Sequence, residues 1–148
     1  MIILYNFLIV LFTFFFMEFV SWATHKYVMH GFLWVLHKDH HIVNTDNVFQ
    51  KNDLFFLIFA VPSIFLIFIG FENQSYQLFI GIGIALYGLA YFLIHEIIIH
   101  RRLPPPSKTK SRYIKAIRKA HKVHHKNRGK YHGVNFGMLI VPFKYFKK

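Results

Sequence analysis

HKYVMHGFLWVLHKDHH, residues 25–41, holds five histidines in seventeen positions, and it follows a stretch made almost wholly of hydrocarbon. That stretch, from Ile2 to about Val20, is long enough to cross a bilayer, which takes about 20 apolar residues. It has neither a basic n-region nor an A-x-A cleavage site, so it reads as a retained anchor rather than a signal peptide. Two more apolar runs follow, LFFLIFAVPSIFLIFIG (54–70) and YQLFIGIGIALYGLAYFLI (76–94). The first contains Pro62, which a membrane helix tolerates. Only the polar turn FENQS separates them, as expected for a helical hairpin. The pattern predicts an all-α integral membrane protein with about three transmembrane helices, near residues 2–21, 54–70 and 76–96. A single domain over 1–148 is expected, with cytoplasmic extensions carrying the histidines.

Composition agrees. Of 148 residues, 55% are hydrophobic and 20% aromatic, too apolar for an ordinary soluble fold. The chain has no cysteine, which removes disulfides, thiolate metal sites and thiol chemistry from consideration. The linker LPPPSK (103–108) opens a basic tail, 101–148, that contains no acid. Beside a bilayer such a segment is expected to meet anionic lipid rather than nucleic acid. GVNFGMLIVPFKYF (133–146) is apolar but too short to span, so it is expected to lie on the membrane or pack on the helices.

Charge predicts the orientation. The 18 Lys and Arg fall at 26, 38, 51 and from 101 onward; none precedes residue 26 and none lies in the FENQS turn. With three spans, all of them share one side, which the positive-inside rule places in the cytoplasm with the N-terminus outside. A bacterial inner membrane is the expected location.

All eleven histidines fall on that same side, and ten form a doubled pattern. His25 and His30 (HKYVMH) precede His37, His40 and His41 (HKDHH); after the hairpin, His95 and His100 (HEIIIH) precede His121, His124 and His125 (HKVHH). Residues at i, i+3 and i+4 share one face of a helix, so each H-x2-H-H unit is able to aim three imidazoles one way. Residues at i and i+5 sit roughly 140° apart on an α-helix, which suits two neighbouring metals, or one metal after local unwinding. In KSRYIKAIRKAHKVHHK the arc Ile114, Ile117, His121, His124, His125 opposes Lys115, Arg118, Lys119, Lys122 and Lys126, so this helix offers histidines to the protein and lysines to water or headgroups. A lone histidine near a membrane interface is ordinarily an amphipathic residue with one wet end, which accounts for His132. Ten on one side in a doubled pattern are not explained that way, because imidazole is the commonest metal ligand and ten would repel one another once protonated.

Ten nitrogens exceed the roughly four of one zinc site and suffice for two metals at about five each. Imidazole suits zinc, copper, iron and nickel; an apolar intramembrane setting favours iron and oxygen chemistry on a lipid. HEIIIH has one residue too many for the zinc-protease H-E-x-x-H. A bis-histidine haem would place lone histidines within the spans rather than at their mouths. Metal-bound histidines usually donate their other N–H to a carboxylate, carbonyl or water, which makes Asp39 and Glu96 the candidates for supporting the ligands. Asp46 and Asp53 read as solvated charge, with Asp53 also placed to cap the second span.

These boxes resemble those of the integral-membrane fatty-acid hydroxylase and sterol desaturase superfamily, and THKYVMHGFLWVLHKDHH with AIRKAHKVHHKNRGK…FGMLIVP resembles, within it, the short bacterial β-carotene 3-hydroxylases. The resemblance runs over essentially the whole chain from Glu18. It implies a non-haem di-iron centre held by His25, His30, His37, His40, His41, His95, His100, His121, His124 and His125. It also implies a monooxygenase reaction in which O2 and two external electrons convert a carotenoid ring C–H to C–OH. A fatty-acyl or sterol substrate for the same machinery is the nearest alternative, and a non-enzymatic membrane metal-handling protein is an alternative of another class. No flavin motif or cysteine cluster is visible, so electrons are expected from a separate donor, an acidic ferredoxin docking on the basic face. A cavity opening sideways between spans is expected to deliver the ring to the metals. Gly81, Gly83 and Gly88 either thin a helix wall for that cavity or serve close helix packing. Trp22, Phe32 and Trp34 either line the ring site or belong to an interfacial aromatic belt.

Overall fold

The computed structural model describes residues 1–42, 49–102 and 109–147, so Asp46 and the LPPPSK linker lie outside the described residues. Among the described residues the chain is all-helical. In chain order it comprises α1 (Ile2–Ala23), α2 (Trp34–His41), α3 (Leu54–Glu72), α4 (Gln77–Phe92) and α5 (Arg112–Lys126). Helical backbone continues past α1 over Thr24–Phe32, with a kink at Gly31 (φ −99°, ψ −122°), and past α4 over Leu93–Ile99, both as π-helix. Three helical stretches are long and apolar enough to cross a membrane: Ile2–Phe32, Lys51–Glu72 and Gln77–Ile99. The first, at 31 residues, exceeds what a hydrocarbon layer of about 30 Å requires. Its histidine-bearing end therefore stands clear of the lipid if its start is immersed.

The spans expose their large side chains outward, Phe12 at 72% and Ile64 at 66% among them, as lipid-facing surfaces do. α4 lies between the other two spans and meets both through its glycines. A β-carbon on Gly83 would fall 2.6 Å from Thr13 Cβ of α1, and one on Gly81 would fall 2.9 Å from the Ser63 carbonyl of α3. The Ser63 hydroxyl donates to the Gly81 carbonyl at 2.8 Å, closing the α3–α4 contact. These two glycines thus serve close helix packing, whereas a β-carbon on Gly88 would meet nothing within 4 Å. The α3–α4 hairpin turns at FENQS, where Ser75 N–H donates to the Gly70 carbonyl at 2.9 Å.

On the far side of the histidines, α5 begins at Ser111, whose hydroxyl accepts from Ile114 N–H at 3.4 Å. Its Ala116, Ile117, Ala120, His121 and His124 are buried and Lys115, Lys119, Lys122 and Lys126 are exposed, as the two predicted faces require, while Ile114, His125 and Arg118 are half-buried. Ala116 and Ala120 pack with Tyr145, Val123 and Val141. The segment after α5 has neither helix nor strand from Asn127 to Val141, and it packs on the helices over the histidines.

Candidate metal centre

Two short π-helices decide the geometry. A π-helix bonds each N–H to the carbonyl five residues back, which lays residues five apart over one another. Leu33 N–H donates to the Val28 carbonyl at 3.0 Å, and His100 N–H donates to the His95 carbonyl at 2.9 Å. His25 with His30, and His95 with His100, therefore each point one way, where an α-helix would have splayed them. Of the two arrangements the spacing allowed, local unwinding toward one site is the one found.

The histidines form two groups. His25, His30, His37, His41 and His124 offer ring nitrogens within 4.8 Å of one another, as do His40, His95, His100 and His121. The H-x2-H-H units do not aim all three imidazoles one way. His37 and His41 join the first group while His40, between them, turns to the second; His124 joins the first while His121 joins the second. The reason is angular: i+3 and i+4 fall on opposite sides of residue i, and the two groups occupy those flanks. His125 sits at the boundary, its ring 4.4 Å from His121 and 4.7 Å from His41 between centroids, and belongs to neither set. His132 is exposed, in the left-handed backbone region at φ 65°, and outside both groups.

Outer hydrogen bonds fix the protons. Nδ1 of His25 donates to the Phe136 carbonyl at 3.0 Å, Nδ1 of His30 to Lys130 at 3.1 Å, Nδ1 of His41 to Asn127 at 2.9 Å and Nδ1 of His124 to Val134 at 2.8 Å. Side chains complete the shell: Asn52 Oδ1 accepts from His37 at 2.6 Å, Gln50 Oε1 from His40 at 3.0 Å and Glu96 Oε1 from His95 at 2.5 Å. A neutral imidazole with its proton on Nδ1 presents a bare lone pair at Nε2. Yet Nε2 of His25 lies 3.2 Å from Nε2 of His37, His41 lies 3.1 Å from His37, and His30 lies 3.3 Å from His124, also through Nε2. In all three pairs both protons are spent outward, so lone pair faces lone pair and no hydrogen bond joins them. Neighbouring ligands around an ion with bonds of roughly 2.1 Å stand about this far apart.

Protonation does not relieve the repulsion. Burial holds His37, His40 and His121 well below the ordinary imidazole range, His100 and His124 at about 3 and His41 and His125 at about 4, with neighbouring imidazoles adding to the effect. Nε2 of His40 and of His125 are buried and have no hydrogen-bond partner among the described residues. A neutral, nitrogen-only donor set with converging lone pairs fits divalent transition ions and suits none of the hard, oxygen-seeking cations.

Glu96 Oε1 bonds a histidine, His95, and Arg102 Nε holds its other oxygen at 2.7 Å. Asp39 does not: its Oδ2 accepts from Lys51 N–H at 2.6 Å, fastening the turn that carries Gln50 and Asn52. Asp53 is neither a free solvated charge nor a side-chain cap for α3. It accepts from Gln50 N–H at 2.9 Å and pairs with Arg102 Nη1 at 3.0 Å. Of the aromatic candidates Trp34 alone meets the histidines, 5.0 Å from His30 between ring centroids, while Trp22 pairs with Phe19 and Tyr27, and Phe32 is exposed. Gln50, Asn52 and the four carbonyls were not singled out from sequence. The polar QKND ahead of an apolar run was a weak signal for the first two, and carbonyls leave none.

Fold and site together define a helical membrane protein with two histidine clusters suited to metal binding. The chain belongs to the fatty acid hydroxylase family, whose model matches residues 10–146. It is 39% identical over 142 residues to the beta-carotene hydroxylase of Pantoea ananas, covering 96% of this chain and 81% of that one. It is 37% identical over 138 residues to the beta-carotene hydroxylase of Paracoccus sp. (strain N81106 / MBIC 01143), covering 93% and 85%. Beta-carotene 3-hydroxylase 2, chloroplastic, of Arabidopsis thaliana is 32% identical over 130 residues, covering 85% of this chain and 42% of that one. No solved structure matches the chain.

Proposed function

We propose that this protein hydroxylates a carotenoid ring in the membrane, using two iron ions, O2 and electrons from a separate donor. The observation that carries the proposal is the pair of converging imidazole groups, all buried but for half-buried His100, with every Nδ1 proton of the first group and those of His40 and His95 turned outward. The likeness to bacterial and plant beta-carotene hydroxylases supports the substrate and does not favour acyl or sterol substrates. Overall, ring C–H, O2, two electrons and two protons give C–OH and water. Irons held by the ten histidines, with His125 joining the second group, would supply the reduction of O2 and the oxidation of the C–H bond.

The chain supplies position and dryness. Phe136 covers the first group, its ring centroid 5.4 Å from His25, 5.1 Å from His30 and 5.3 Å from His124, and Tyr91 lies 4.8 Å from His95. Both exclude water from the reacting centre. A groove of about 360 Å³ opens toward lipid between α1 and α4, lined by Phe7, Val10, Leu11, Phe14, Phe15 and Leu86. Phe15 is ten residues from His25, about 15 Å along the helix. The groove therefore suits the remote part of an elongated polyene rather than the ring being oxidised. The exposed lysines of α5 support docking of an acidic donor such as a ferredoxin, with the basic side facing the cytoplasm of a bacterial inner membrane.

The test is expression in bacteria engineered to accumulate β-carotene, followed by chromatography of the pigments. More polar, hydroxylated products are expected. An unchanged pigment profile despite verified, iron-loaded protein refutes the substrate.

A further inference from the structure

Glu18 is 5% exposed and sits in FFFMEFV, the one acid of the first apolar run. Ionisable groups inside a span are costly and mark function. Its Oε1 accepts three consecutive backbone N–H groups, from Met138 at 2.9 Å, Leu139 at 2.8 Å and Ile140 at 3.0 Å, and its Oε2 accepts from the Tyr87 hydroxyl at 2.7 Å. The carboxylate thus joins α1 and α4 to a stretch that begins 120 residues after Glu18. Gly137 lets the backbone come this close, since a β-carbon there would lie 3.2 Å from Oε1.

The stretch it grips directly follows the one whose carbonyls orient the first histidine group. Asn127, Lys130, Val134 and Phe136 accept from His41, His30, His124 and His25, four of that group's five members. This backbone has no helix or strand of its own to fix where the carbonyls fall. We propose that Glu18 is a positioning residue that pins the 138–140 turn and thereby holds the carbonyls of 127–136 in register with the Nδ1 atoms of the first histidine group. In the second group, His40 and His95 take their outer contacts from Gln50 and Glu96 and not from the 127–136 carbonyls. The metal consequence rests on the function proposed above; the backbone consequence does not.

The test compares the full-length protein in detergent with Glu18→Gln, Glu18→Leu and Gly137→Val, the last displacing the turn without altering α1. Iron(II) binding is titrated anaerobically against a chelator, and hydrogen exchange is followed over 127–140. In Glu18→Leu and Gly137→Val, exchange over 127–140 accelerates while α1 and α4 stay protected. One class of bound iron weakens by about 10–100-fold, the usual loss when an outer partner is displaced. Adding His25→Ala to either variant removes no further tight iron, whereas adding His95→Ala removes the remainder. Glu18→Gln keeps an acceptor oxygen and stays near wild type. Unchanged exchange over 127–140 in both variants overturns the latch, and so does parallel loss of iron from both groups. Should wild type bind no iron, the metal reading fails, and the exchange comparison still decides whether Glu18 holds the segment.

Discussion

Asn52→Leu removes the acceptor of the His37 Nδ1 proton, a 2.6 Å bond at a histidine only 1% exposed. The variant can go two ways. If the proton stays on Nδ1, a buried donor is left unsatisfied, at about 1–3 kcal/mol. If it moves to Nε2, it enters the space shared with His25 at 3.2 Å and His41 at 3.1 Å, and the lone pair facing that space is lost. Either way the form of His37 able to bind metal is disfavoured by about 1–3 kcal/mol, and with about 1.4 kcal/mol per tenfold the affinity falls by roughly 5–150-fold. Chelator competition on the purified protein measures this, with Asn52→Asp, which restores an acceptor oxygen, as the control. Wild-type affinity in Asn52→Leu would refute the claim that outward hydrogen bonds set the inward lone pairs.

In the β-carotene assay, His40→Ala is expected to abolish product and His132→Ala to retain most of it; sustained turnover in the former would break the ligand assignment. Folding of the metal-free protein should weaken as pH falls below about 6.5, the unfolded imidazole value, because the unfolded chain then binds protons that buried His41, His125, His100 and His124 refuse until about 4 or 3. Above that window, imidazole titration leaves stability flat; thermal unfolding in detergent from pH 8 to 4 checks both limbs. Gly83→Ala should destabilise by about 1–3 kcal/mol through its clash with Thr13, while Gly88→Ala, with open space before it, should cost little, as the two unfolding midpoints will report.

Much of the architecture was visible in the order of residues. Three apolar runs, the FENQS turn and the two faces of α5 follow from period and composition alone, and the doubled histidine pattern announced that the ends of separate helices converge. What was not visible has physical reasons. His25 and His30 diverge on an α-helix, and no side chain records the one extra residue per turn that aligns them. Likewise i+3 and i+4 look equivalent from spacing, so the departure of His40 and His124 from their neighbours depends on where the partner helices stand. Asp39 looked like a histidine partner because it lies beside one in sequence, yet the helix points it at Lys51. Glu18 stood out as an acid among phenylalanines, but its acceptors' partners are backbone groups that every residue carries.

The exchange of His40 and His124 across the centre also binds the two halves of the chain to a common fate. A break in the 73–76 turn would leave each fragment with its own H-x4-H and H-x2-H-H, yet neither fragment would own a complete nest, because each keeps one imidazole that its counterpart needs. Though written twice along the chain, the pattern does not describe two separable modules.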